Sequence, residues 1–185
     1  MSYQIDGNIT LIAPLLFNSP LAIVAAVDAG QTGRRRTKAQ KVDEAYAKLH
    51  KTPEGFICVP RDNFKRCIIL GSGSGNFKEG KRGLGAYLEA TVFLEDDLIF
   101  DTAEPDEIHG HWGRIPPRTG ALVFIRRPLM KAGRTLDFTL SVFDDKRDAE
   151  ELRLVVKHAG LFIGLGAWRP NFGRFSVSNW NRRPT

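Results

Sequence analysis

DAEELRLVVKHAGLFIGLGAWRPNFGRFSVS, residues 148–178, decides how this chain folds. Its first part predicts a helix over 148–160. Leu152, Val155, Val156 and Ala159 share one stripe, acids crowd the first turn, and Gly160 stands where a helix stops. GRFSVS, 173–178, reads as a strand. Between them Gly164, Gly166 and Gly173 remove side chains where the main chain turns sharply or something approaches closely. A tight connection packed under a sheet edge would account for the glycines alone. Arg169 and Arg174, set among Trp168 and Phe172, add forks that match phosphate and flat faces that match bases.

Working outward, ALVFIRRPL (121–129) and TLDFTLSVF (135–143) read as an antiparallel hairpin turning through Lys131 to Gly133. Leu136, Phe138, Leu140 and Val142 alternate with Asp137, Thr139 and Ser141, so one sheet face is core and the other wet. Tyr87 to Leu94 reads as a strand, GFICVP (55–60) as a short strand, and RDNFKRCIIL (61–70) as a helix closed by Gly71. GSGSGNFKEGKRG (71–83) is loop by composition. Asn8 to Phe17 suits a buried first strand ending near Pro14. The resulting order of strand, helix, strand, strand, helix, strand is an α+β, ferredoxin-like (RRM-like) split βαβ antiparallel sheet, with both helices on one face. Two insertions interrupt it, a basic helical one at about 28–52 and an irregular one at about 95–119.

In the first insertion Thr37 would cap a helix from Lys38 to about His50, with Ala39, Val42, Tyr46 and Leu49 on its apolar stripe. The formal net charge of +6 is unevenly spread. Arg34 to Lys51 holds seven basic residues and two acidic ones, whereas Glu95 to Glu107 is acidic. Such asymmetry suits a polyanion or, equally, a solvated charged helix. At 185 residues the chain suits one domain, residues 1–185, and Cys58 and Cys67 lack zinc-site spacing. No apolar run reaches bilayer length and the start lacks a signal-peptide pattern, so a cytoplasmic, membrane-free protein is expected.

GLFIGLGAWRPNFGRFSV (160–177) following a helix resembles the C-terminal glycine-rich loop of the RAMP superfamily, which includes backbone subunits and guide-processing proteins of CRISPR effector complexes. FICVPRDNFKRCII (56–69) is similar to a second RAMP feature, a strand and proline leading into a helix with a basic start. LLFNSP (15–20) together with GAWRPNFGRF (166–175) resembles phage and prophage proteins of RAMP type. The resemblance implies a modified RRM fold that binds single-stranded RNA or DNA, often by head-to-tail assembly. It maps Gly164, Gly166, Arg169, Gly173 and Arg174 onto the loop, and Arg61, Lys65 and Arg66 onto the basic start of the first core helix. Arg34, Arg35, Arg36, Lys38 and Lys41 stand where backbone-type members place a thumb or finger. No histidine lies near that first core helix, a departure from guide-processing nucleases, and Asp28 stands unaccompanied where target-cleaving subunits carry an aspartate.

Two further motifs look chemical. GNFKEGKR (75–82) has P-loop spacing, but Arg82 replaces the magnesium-binding hydroxyl and GLGAYLEATVF (83–93) reads as turn and strand, leaving Lys78, Lys81 and Arg82 only as phosphate contacts. His109 and His111 put two imidazoles on one side of an extended segment, with Asp101, Glu104, Asp106 and Glu107 as possible co-ligands. Exposed histidines beside a packed Trp112 are the simpler reading. The expected function is thus non-catalytic single-stranded nucleic-acid binding in a CRISPR or phage setting, as a homo-oligomer or a subunit of a ribonucleoprotein complex. Arg169 and Arg174 would contact phosphates, Trp168 and Phe172 would offer stacking faces, the open sheet face would help hold the backbone, and no cofactor or metal is required. The alternatives are a metal-dependent nuclease or hydrolase on His109 and His111, and a phage structural or assembly protein with an acidic partner.

Overall fold

A computed structural model describes residues 2–19, 43–79, 82–115, 120–144 and 146–184. The central sheet has the order β11-β1-β10-β6, built from β1 (Tyr3–Leu11), β6 (Val92–Leu94), β10 (Thr135–Val142) and β11 (Phe175–Pro184), every pair antiparallel. Helix α1 (Arg61–Ser74) lies between β1 and β6 in sequence, and α3 (Ala149–Phe162) joins β10 to β11. In terms of the core elements this is strand order 4-1-3-2, the ferredoxin-like split βαβ, and the molecule is α+β with antiparallel sheets.

Alternation along the strands sets the layers. Tyr3, Ile5, Ile9 and Leu11 of β1 are buried on the same side as Leu136, Phe138, Leu140 and Val142 of β10. Phe64, Cys67 and Ile68 of α1 and Leu152, Val155, Val156 and Ala159 of α3 close the core from that side. The burial of these chains out of water is what holds the layers together. Phe64 meets Phe138 and Phe175 edge to face, with ring centroids at 5.2 and 5.7 Å.

The insertion between β6 and β10 is more regular than its composition predicts. β7 (Leu98–Ile99) pairs with β3 (Cys58–Val59), and β8 (Glu107–Ile115) pairs with β9 (Ala121–Met130) along their whole length, Glu107 facing Leu129 and Ile115 facing Ala121. β2 (Leu15–Leu16) adds to the free side of β9. The expected hairpin of 121–129 with 135–143 is therefore wrong in its pairing, although both strands exist. β9 turns away to β8 because the histidine-bearing stretch is itself a strand, and β10 inserts between β1 and β6.

Four other boundaries differ. Residues 87–91 belong to α2 (Gly85–Thr91) rather than to a strand, because Leu84 and Leu88 are buried one helical turn apart; only Val92–Leu94 is extended. The helix after Pro60 runs past Gly71, where missing side-chain atoms let α1 approach Ala159 of α3, and ends at Gly75. Residues 78–79 and 82–83 form a short ladder, β4 (Lys78–Glu79) with β5 (Arg82–Gly83), where a loop was expected. β1 starts at Tyr3 and ends at Leu11, five residues early at its start, because its full alternating length is needed to cross between β10 and β11.

In the described part of the expected helix 38–50, residues 43–46 are helical; Leu49 is buried as expected, but Ala45 rather than Tyr46 is buried with it. Lys48 donates from Nζ to the carbonyl of Arg126, tying this segment to β9. Among the described residues no helix is long and apolar enough to cross a membrane.

Candidate nucleic-acid interface

The glycine-rich loop is shaped first by its own packing. Gly160, expected to end α3, is buried inside its last turns against the main chain of Phe175; the helix stops two residues later and Gly164 takes the left-handed turn at φ +76°. The amide of Leu165 then donates to the Gly173 carbonyl at 2.8 Å, that of Gly173 to Pro14, and that of Ala167 to Leu16. A Cβ on Gly173 would strike the carbonyl of Leu165, and one on Gly166 would strike that of Leu16. The glycines at 164, 166 and 173 thus all serve the close approach of chain to chain, and the expectation that bare main chain is wanted there for a ligand is corrected. Gly166 remains exposed.

Sewn to the stretch 12–16, the loop roofs a cavity of about 450 Å³. Gly166 and Arg169 line it from the loop, Asn63 and Arg66 from α1, and Leu15 and Phe17 from the β2 segment. Three of the residues singled out from sequence, Arg66, Gly166 and Arg169, are brought together here. Both guanidinium groups are exposed and form no ion pair among the described residues. Arg174 is likewise exposed, its carbonyl accepting from Ile12 and Ala13, but it does not line this cavity.

Arg61 and Lys65 point elsewhere. Arg61 donates from Nη1 to the Glu95 carbonyl at 3.0 Å, and Lys65 from Nζ to that of Glu89 at 2.8 Å while its ammonium sits 4.0 Å above the ring of Phe93. They line a second, smaller cavity beside β6. Arg34, Arg35, Arg36, Lys38, Lys41 and Lys81 lie outside the described residues, as does Asp28, and Arg82 is described only as part of β5.

Trp168 and Phe172 fold back onto the inner face of β8–β9. Trp168, a non-glycine residue at φ +59°, packs its indole on His111 and lies 5.4 Å from the Arg127 guanidinium, and Phe172 lies 5.5 Å from His109. Left-handed backbone at a bulky residue is costly, and these ring contacts are what hold it. Arg127 donates from Nη1 to His111 Nε2 at 3.1 Å, so that imidazole accepts and is neutral. Burial, then the charge of Arg127, pushes His111 down to about 4. His109 and His111 do stack, centroids 5.9 Å apart, as an extended segment predicts. Arg127 takes the Nε2 lone pair of His111, while Asp101 and Asp106 pair with Arg134 at 3.0 and 2.6 Å. Among the described residues no cluster of three or more His, Cys, Asp or Glu could hold a metal ion. Burial raises Cys67 to about 12 and Cys58 to about 11, so neither is a thiolate near neutral pH.

The outer face of β8–β9 was missed in the sequence. Trp112 is 65% exposed and meets Phe124 edge to face at 5.3 Å, with the Arg126 guanidinium 4.8 Å from the Phe124 ring. Reading 107–115 as a strand would have put Trp112 opposite Phe124 and disclosed this aromatic and cationic patch. The open face of the central sheet, expected to help hold a backbone, carries the opposite charge. A groove of about 770 Å³ there is lined by Asp6, Asp96, Asp97, Asp101 and Asp137, with Arg134 as its cation. Carboxylates at that density repel phosphate, so this face is corrected out of the interface.

No family model and no curated protein matches the sequence. Among solved structures, the chain is similar to one from the cryo-EM structure of the type III-B Cmr-beta bound to cognate target RNA, with a TM-score of 0.54 and 10% identity. The match covers 99% of this chain and 61% of that one, so this chain spans about three-fifths of its neighbour's length. At that identity the likeness shows the fold alone, an RRM-type ferredoxin-like sheet.

Proposed function

We propose that this chain is a non-catalytic, RAMP-type single-stranded nucleic-acid binding protein, with RNA its primary ligand, acting as a subunit of a ribonucleoprotein complex. One observation carries the reading: the fold draws Arg66, Arg169 and the exposed Gly166 from distant parts of the sequence around one cavity, with neither arginine in an ion pair among the described residues. Guanidinium groups offer paired N–H donors to phosphate oxygens, and the exposed Trp112 and Phe124 rings on the outer face of β8–β9 are a separate surface on which bases could stack. The neighbour's own state, bound to a cognate target RNA, supports RNA over DNA and a CRISPR setting over a phage one. A cationic loop flank and an acidic sheet groove on one chain suit head-to-tail repetition of copies along the strand.

The test is fluorescence anisotropy with labelled oligouridylate over a series of salt concentrations. Affinity should fall linearly on a log–log plot, with a slope of about −0.7 per phosphate neutralised. Changing Arg169 and Arg174 together to alanine should weaken binding and flatten that slope. Binding that ignores both salt and the double change refutes the reading.

A further inference from the structure

The cavity beneath the glycine-rich loop is built of two chemistries. Leu15, Phe17, Val59 and Pro60 give it an apolar lining, while Arg66 and Arg169 give it charge. A groove that merely tracks a phosphate backbone needs cations on an open surface. Carbon below the cations is of no use to phosphate; it is what a base requires once it leaves its stack. At about 450 Å³ the space lies in the range of pockets that enclose a single small ligand. Asp62 and Asn63, both exposed in the first turn of α1, also line it. A carboxylate beside a phosphate site is repulsive unless it accepts from a neutral donor, and a sugar hydroxyl next to the phosphate is such a donor.

We infer that this cavity holds one ribonucleotide of the bound strand, turned out of the stack. Its base lies against the apolar lining, its phosphate meets Arg66 and Arg169, and its 2′-hydroxyl donates to Asp62. The inference rests on the proposed function and adds to it a seat for an individual nucleotide, with a means of preferring RNA at that seat.

The experiment is calorimetric titration of the whole protein with AMP, UMP, 2′-deoxy-AMP and ribose 5-phosphate, with oligouridylate binding measured in parallel. AMP or UMP should bind, ribose 5-phosphate should bind roughly tenfold more weakly than the better of them for want of a base, and 2′-deoxy-AMP roughly tenfold more weakly than AMP for want of one hydrogen bond to a charged group. Asp62→Ala should abolish the difference between AMP and its deoxy form. Asn63→Trp, at an exposed position on the rim, should fill the space and eliminate nucleotide binding; Arg66→Ala provides the same reading by removing a phosphate contact should the tryptophan variant not fold. If oligouridylate binds but neither AMP nor UMP does, the seat is wrong and the proposed function stands. If nothing binds, both fall. Ribose 5-phosphate binding as tightly as AMP, or AMP binding unchanged in both rim variants, overturns the inference.

Discussion

The groove on the open sheet face and the cavity under the glycine-rich loop differ in almost every respect that matters to a polyanion. The larger, on the open sheet face, is lined by five aspartates and one arginine, which Asp101 and Asp106 already neutralise. The smaller, under the glycine-rich loop, joins an apolar lining to two guanidinium groups without ion pairs among the described residues, against one carboxylate, Asp62. Size and fold type alone would have favoured the larger, since RRM-like proteins offer a sheet face to RNA. Charge favours the smaller. A formal charge of +6 says that basic residues exceed acidic ones, whereas the fold decides which concavity receives them.

The largest effect expected from breaking this contrast is on the loop itself. Gly173→Ala forces a Cβ into the Leu165 carbonyl at a residue held at φ +74°, and should cost on the order of 3 kcal/mol, read as a lowered urea midpoint, with loss of RNA binding. Next in size, Arg66→Ala with Arg169→Ala should weaken oligouridylate binding roughly 30-fold to 100-fold while leaving the urea midpoint in place. Asp96→Asn with Asp137→Asn, the matched change in the other concavity, should move affinity by less than about twofold, because neither carboxylate lines the cavity and salt screens solvent-exposed charges. Equal losses from the two pairs would erase the distinction between the concavities.

The smallest effect concerns the joint between loop and hairpin. His111 is held neutral, its folded value near 4 against an ordinary 6.5, so the unfolded chain takes up a proton that the folded one refuses. Its contribution is complete above pH 6.5 and declines as pH falls toward 4. Urea denaturation at pH 7 and pH 5 should show a smaller acid loss for His111→Gln than for the unchanged protein. An equal loss in both would remove His111 from the joint.

Much of the central sheet is legible in the sequence because its elements carry one period each. Leu136, Phe138, Leu140 and Val142 repeat every second residue, and Leu152, Val155, Val156 and Ala159 every third or fourth, and these patterns survive into β10 and α3. β8 was hidden because Gly110 and Gly113 dilute its pattern and charged or imidazole side chains occupy its inner face. α2 was hidden because Thr91, Val92 and Phe93 favour strands, and only the long-range burial of Leu84 and Leu88 overrules them. At the interface, the resemblance grouped Arg61, Lys65 and Arg66 as one basic start to a helix. Successive positions on a helix face different ways, and the contacts of Arg61 and Lys65 with carbonyls beside β6 separate them from Arg66. Trp112 and Phe124 belong together only through strand register, which no local pattern reveals.

The pairing of β1 has a bearing on how the protein is made. That strand is flanked on one side by residues 135–142 and on the other by 175–184, so on the ribosome it is synthesised before both of them and finds its neighbours only after more than a hundred further residues. Until then its alternating isoleucines and unpaired amides are open to other nascent strands, a hazard for aggregation. The cavity under the glycine-rich loop must wait as well, since Leu15 and Phe17 are translated long before the loop that roofs them.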